Sequence, residues 1–233
     1  MADTQLFKEI VEQTCELVRR SAQRGGSTIK VSPEVAQMLQ AKDIETQMAE
    51  LAEEVAACTA CSLHETRTQT VFGAENYRAA LVFVGEAPGA EEDRRGIPFV
   101  GRAGQLLTDI IQKGMKLDRS DVFICNVLKC RPPNNRDPRP DEIAACEPYL
   151  IRQLQLIRPQ VICALGAHAA RTLLKTSDSI GRLRGKWHFY QGIPLRVTYH
   201  PAYLLRNPAD KRKTWDDIQH VMRLMSGEES AND

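Results

Sequence analysis

The stretch LVFVGEAPG, Leu81–Gly89, decides the fold class. A short β-branched and aromatic run that empties into glycine, proline and glycine reads as a buried strand entering a tight turn. Turns of this composition often cradle phosphate with backbone amides. Here Glu86 places a carboxylate where such a ligand would be repelled, and no Lys-Ser/Thr pair follows the glycines, so a nucleotide phosphate loop is disfavoured. The turn is better suited to presenting a negative charge.

Outward from it, the same kind of run recurs in DVFICNVL (121–128), QVICALGA (160–167) and PLRVTYH (194–200). Helical periodicity fills the intervals at 102–115, 139–157 and 168–175, with Pro140 and Asp141 opening the second of these helices. Strand and helix in alternation predict an α/β fold, a three-layer sandwich around a central, mostly parallel four-stranded sheet. Ligands of such sheets sit outside the carboxyl ends of the strands. Glu86, Asn126, Gly166 and His200 all fall there.

The chain has 233 residues and a formal net charge of +1, so an anionic partner must be met by a local patch. No apolar run approaches the ~18–20 residues of a membrane span. MADTQLFKEI at the start carries acids and lacks an apolar core, unlike a secretory signal. A reducing, cytoplasmic setting without membrane attachment is expected. Residues 1–40 read as a helical appendage, with helical spacing over Phe7, Ile10, Val11, Leu17 and Val18, then a glycine-rich linker. A second helical pattern (Ile44, Met48, Leu51, Val55) opens the main domain, 41–228, and runs into Cys58.

Seven cysteines in a reducing setting point to metal or redox work rather than disulfides. CTAC supplies a two-ligand clip, Cys58 and Cys61; KCRPPNNRDPRPDEIAAC adds Cys130 and Cys146 across a proline-stiffened loop. Four thiolates from two distant places make a tetrahedral sulfur site, fit for zinc or for an iron–sulfur cluster. Spacing alone leaves both open. Cys125 and Cys163 lie within apolar strands and read as core; Cys15 lies in the appendage.

GEAPGAEEDRRGIPFVGRAG, NVLKCRPP and HPAYLLRNP, together with these cysteines, resemble the iron–sulfur, family-four uracil-DNA glycosylases over about residues 45–226. The resemblance implies a [4Fe–4S] cluster on Cys58, Cys61, Cys130 and Cys146, structural rather than redox-active. It implies a monomeric DNA-repair hydrolase that flips uracil out of single- or double-stranded DNA. Cleavage of the N-glycosidic bond then leaves an abasic site, the first step of base excision repair. His200 is implied to donate a hydrogen bond to uracil O2, and Asn126 to read the Watson–Crick edge. Phe99 is to stack on the ring, while Ala87 offers a backbone N–H. Glu86 is to stabilise the sugar cation or activate water, and Glu92 to crowd the uracil 5-position. Leu204, with Leu205 and Arg206 beside it, is the implied wedge into the duplex.

Between Gly181 and Lys213 the cations Arg182, Arg184, Lys186, Arg196, Arg206, Lys211, Arg212 and Lys213 face a single acid, Asp210, as phosphate tracking requires. Arg184 and Lys186 are the expected contacts beside the pocket. Two other readings are a uracil-DNA binder that traps its target and a zinc-stabilised nucleic-acid module. The trapping subgroup carries a histidine in the loop after the second strand. NVLKCRPPNNRDPRPDEIAAC has none, which favours turnover.

Overall fold

The structure, a computed structural model, describes Glu16 and residues 33–231. Its contacts divide the chain into Met1–Thr46 and Gln47–Asp233, and the candidate site lies in the second unit. Apart from Glu16, the helix expected across Phe7–Val18 lies outside the described residues, as does the linker before residue 33. Helix α1, Pro33–Ala57, runs through residue 40, the expected edge of the appendage. Met48, Leu51 and Val55 are buried on it at helical spacing. Its end delivers Cys58 directly.

The sheet consists of β1 (Ala74–Glu75), β2 (Leu81–Gly85), β3 (Phe123–Asn126), β4 (Val161–Leu165), β5 (Trp187–Tyr190) and β6 (Ile193–Thr198). Six strands in the order β1-β3-β2-β4-β6-β5 enlarge the four expected. The expected four are the parallel core: β2 pairs in parallel with β3 and β4, and β4 with β6. The additions are antiparallel edges. β1 is two residues long, too short to show as a period. β5 joins β6 as a hairpin through Gln191 and Gly192, both at positive φ, as a tight two-residue hairpin turn requires.

Every residue of β2, β3 and β4 is buried, as expected of parallel strands covered on both faces. On one face Leu81, Phe83, Ile124, Cys163 and Leu165 pack with Leu107, Ile111, Ile218 and Val221. Those four come from helix α3 (Arg102–Asp109), the π-helical turn Ile110–Met115 that extends it, and helix α8 (Lys211–Ser226). Helix α4 (Pro140–Ile157) buries Leu150 and Leu154, and helix α5 (Ala167–Leu174) buries Ala169 and Leu173. Cys125 and Cys163 are fully buried in their strands, as expected. Short helices α2 (Ala90–Arg95), α6 (Ile180–Leu183) and α7 (Pro201–Arg206) occupy the connections. The carboxyl ends of β2, β3, β4 and β6 therefore open together at one edge.

Candidate active site

That edge holds a cleft of about 490 Å³ lined by Glu86, Ala87, Glu92, Phe99, Asn126 and His200, with Arg206 at its rim. Seven residues expected from the sequence thus meet in one place. Each is held by a local feature.

Gly85, the last residue of β2, forms the floor. A β-carbon there would lie 2.3 Å from Asn126 Oδ1 and 2.7 Å from the Phe99 ring, so only glycine lets the two approach. Asn126 ends β3 in register with Gly85 and is almost wholly buried. Phe99 is also buried, with φ of 52°, a left-handed backbone that costs an aromatic residue of order 1–3 kcal/mol. Glu92 on α2 secures that loop: its Oε1 accepts the Val100 and Gly101 N–H groups at 2.9 and 3.0 Å. One carboxylate oxygen of Glu92 is therefore a strut, a role the sequence did not disclose. The Phe99 ring leans on His200, with centroids 5.7 Å apart.

His200 caps α7, its Nδ1 accepting the Ala202 N–H at 3.1 Å. An accepting Nδ1 leaves the proton of the neutral ring on Nε2, so the tautomer follows from the cap. Burial, with the Arg206 charge adding to it, pushes the imidazole down to about 4. It is a neutral donor at physiological pH.

Glu86 follows Gly85 and is half-buried. Burial raises its carboxyl above the usual range; Asp137 raises it further, and His168 opposes both. His168 Nδ1 stands 3.7 Å from Glu86 Oε1, and Nε2 stands 3.8 Å from Asp137 Oδ1. Sequence reading missed both neighbours, although His168 lies two residues past Gly166 at a strand end. Asp137 belongs to the loop before α4. Arg136 pins this loop by two bonds, at 2.9 and 2.5 Å, to the fully buried Glu142.

The wedge assignment needs correction. Leu204 is 1% exposed and belongs to the core, whereas Leu205 is 39% exposed. A six-residue helix has one buried side, and the sequence did not show which leucine faces it. The basic segment also divides. Arg184 donates to Asp217 at 2.7 Å and to the Lys213 carbonyl, and covers the Tyr199 ring at 4.6 Å, so it is committed inside the protein. Arg196 is 3% exposed, lying over Trp187 and 3.7 Å from Asp217. Lys213 pairs with Asp210 at 2.8 Å. Lys186, Arg206, Lys211 and Arg212 are exposed.

The four clip cysteines line a second, mainly apolar chamber with Leu63, Leu128 and Tyr149. All are free thiols. Arg67 donates to Cys130 Sγ at 3.3 Å and the Lys129 N–H to Cys146 Sγ at 3.2 Å, the kind of support given to metal-bound sulfur. Burial pushes the Cys146 thiol up to about 11 and raises Cys130 as well. Thiols so placed become thiolates when a metal's charge replaces the proton. The donor set suits a metal–sulfur group. Among the described residues, no helix is long and apolar enough to cross a membrane.

The family model for the uracil DNA glycosylase superfamily matches residues 72–219, which contain the whole sheet and the cleft. Over 185 residues the chain is 47% identical to a type-4 uracil-DNA glycosylase of Saccharolobus solfataricus, covering 76% of this chain and 85% of that protein. It is 46% identical to the type-4 enzyme of Thermotoga maritima over 76% of this chain and 94% of the relative. For that of Archaeoglobus fulgidus the figures are 43%, 75% and 92%. The chain belongs to the type-4 uracil-DNA glycosylase family.

Proposed function

We propose that the protein is a monomeric, cytoplasmic DNA-repair hydrolase that flips uracil out of DNA and releases it, leaving an abasic site. The convergence of Phe99, Asn126, His200 and Glu86 on one cleft carries this reading. A flipped base is read by stacking and by hydrogen bonds to its Watson–Crick edge. Phe99 offers the stacking wall. The Asn126 amide can accept from uracil N3–H and donate to O4, whereas cytosine presents the reverse pattern and would leave buried polar groups unpaired. The Ala87 backbone N–H and the Glu92 side chain flank the ring; we assign Glu92 the exclusion of a 5-methyl group.

In the reaction the bond from the sugar C1′ to N1 breaks and its electron pair leaves with the base. The His200 Nε2–H meets the charge that collects on O2, a fixed donor aimed where charge develops. Glu86 faces the sugar cation and takes the proton of the water whose oxygen bonds to C1′. Leu205 is the better wedge, with Arg206 and Lys186 on the phosphates.

We assign Cys58, Cys61, Cys130 and Cys146 to a [4Fe–4S] cluster that staples the end of α1 to the loop after β3. The four sulfur donors share one mainly apolar chamber, and N–H groups are directed at Cys130 and Cys146, which supports this reading. The domain reading, an appendage over 1–40 and a glycosylase domain over 41–228, stays part of this proposal. The purified protein should release free uracil from a uracil-containing oligonucleotide without added metal or nucleotide. A strand left intact after alkali would overturn the activity.

A further inference from the structure

Past Glu86 and His200 the cleft continues into a second recess of about 460 Å³, walled by His168, Tyr199 and Tyr203. His168 is the second residue of α5. It is carried there by Gly166, whose φ of +93° turns the chain sharply and whose missing β-carbon would stand 2.8 Å from His200 Cβ. The imidazole thus enters the site from the helix that follows β4, a strand that itself contributes no charged side chain to the cleft.

Both of its nitrogens face carboxylates, Nδ1 toward Glu86 and Nε2 toward Asp137, at ion-pair rather than hydrogen-bond distances. A neutral imidazole has one N–H and one lone pair, so it can serve only one of two carboxylates and opposes the other. An imidazolium serves both. The site is thereby shaped for a cation between two acids that come from different loops, the exit of β2 and the segment before α4.

We propose that His168 is a positioning residue for Glu86: held between the Glu86 and Asp137 carboxylates, it orients the base, and in its protonated form it favours the carboxylate over the neutral acid. This rests on the function proposed above. Burial and Asp137 both disfavour the Glu86 carboxylate, and His168 is the neighbour that favours it. Besides the phenols of Tyr199 and Tyr203, the other charged or titratable groups at these clefts are Glu92, Arg136, His200 and Arg206. Arg136 is paired with Glu142, Glu92 accepts two backbone N–H groups, and His200 stays neutral until about 4. None of these three competes for the role. Arg206 is exposed at the rim, where solvent screens it.

The test is single-turnover uracil release from an oligonucleotide across pH 5–9 for wild type, His168→Ala, His168→Gln and Asp137→Asn, with melting and DNA affinity recorded alongside. His168→Ala and His168→Gln should lose about tenfold near pH 6 and come within about twofold of wild type near pH 9, where Glu86 ionises unaided. Asp137→Asn should move the acid limb the other way. A rate lowered by one factor at every pH, an unchanged profile, or the same shift for Asp137→Asn and His168→Ala would each overturn the proposal. So would wild-type activity that needs an added divalent cation, because the three groups would then be metal ligands. Wild type that releases no uracil at any pH marks failure of the activity itself, a distinct outcome.

Discussion

The molecule has two chambers a few residues apart, and they are built on opposite principles. The cleft at the strand ends is wide and polar, and its parts are held under constraint: Phe99 at positive φ, Gly85 with no room for a methyl, His200 tied down by a cap. The cysteine chamber is mainly apolar and walled by Leu63, Leu128 and Tyr149; Cys130 and Cys146 are buried there with N–H donors on their sulfurs, and Cys58 and Cys61 are partly exposed. One end opens polar groups to solvent; the other gathers sulfur among apolar side chains. They meet at residues 85–87 and 126–130, where the Val127 and Leu128 N–H groups bond to the Gly85 and Glu86 carbonyls at 3.0 Å. Ala87 lines the cleft and also packs on the cysteine cluster. Lys129 spans the join, its Nζ donating to the Asn126 carbonyl at 2.7 Å while its N–H supports Cys146. On the proposed function, the comparison teaches that a cysteine staple would serve catalysis without touching the substrate, by holding the strand that carries Asn126.

The largest effect should come from breaking the staple. Cys130→Ala is expected to lose iron, the broad absorbance near ~400 nm and most of the folded yield, because binding free energy at such a site is folding free energy, of order 10 kcal/mol for structural metals. Full iron occupancy in that variant, measured on the purified protein, would remove Cys130 from the ligand set.

Breaking the cleft should instead spare the fold. His200→Ala is expected to lower the single-turnover rate roughly 100- to 1,000-fold, the usual cost of one fixed donor to developing negative charge. Melting temperature, iron content and affinity for uracil DNA should stay close to wild type. Equal losses in rate and affinity would mean that His200 binds without catalysing.

The smallest effect separates two adjacent leucines. Leu204→Ala should destabilise by about 2–5 kcal/mol through the cavity it leaves. Leu205→Ala should leave stability within about 0.5 kcal/mol and slow release from duplex DNA more than from single strands, since unstacking is least costly where the base is already unpaired. A thermal melt and paired excision assays decide it, and reversed results would return the wedge to Leu204.

Much of this was legible without coordinates. The parallel core was readable because buried strands leave unbroken apolar runs, and the strand-end rule then pointed to Glu86, Asn126 and His200. The hairpin strand Trp187–Tyr190 was not recognised because an edge strand with one wet face carries too weak a pattern. The orientation of the cations between Gly181 and Lys213 was not legible, since charge in a sequence does not show whether a guanidinium turns inward to Asp217, as Arg184 does.

By itself the sequence determined the alternation of strand and helix, the clip of cysteines and the residue types that meet at the cleft. Those follow from periodicity and motif, which are properties of neighbours along the chain. Tertiary structure alone decided which leucine is buried, which nitrogen of His200 carries the proton, and that His168 stands between Glu86 and Asp137. The buried leucine and the His168 placement depend on contacts between segments tens of residues apart. The His200 proton depends on the geometry of a cap formed two residues along the chain. In each, burial and direction rather than residue type set the chemistry.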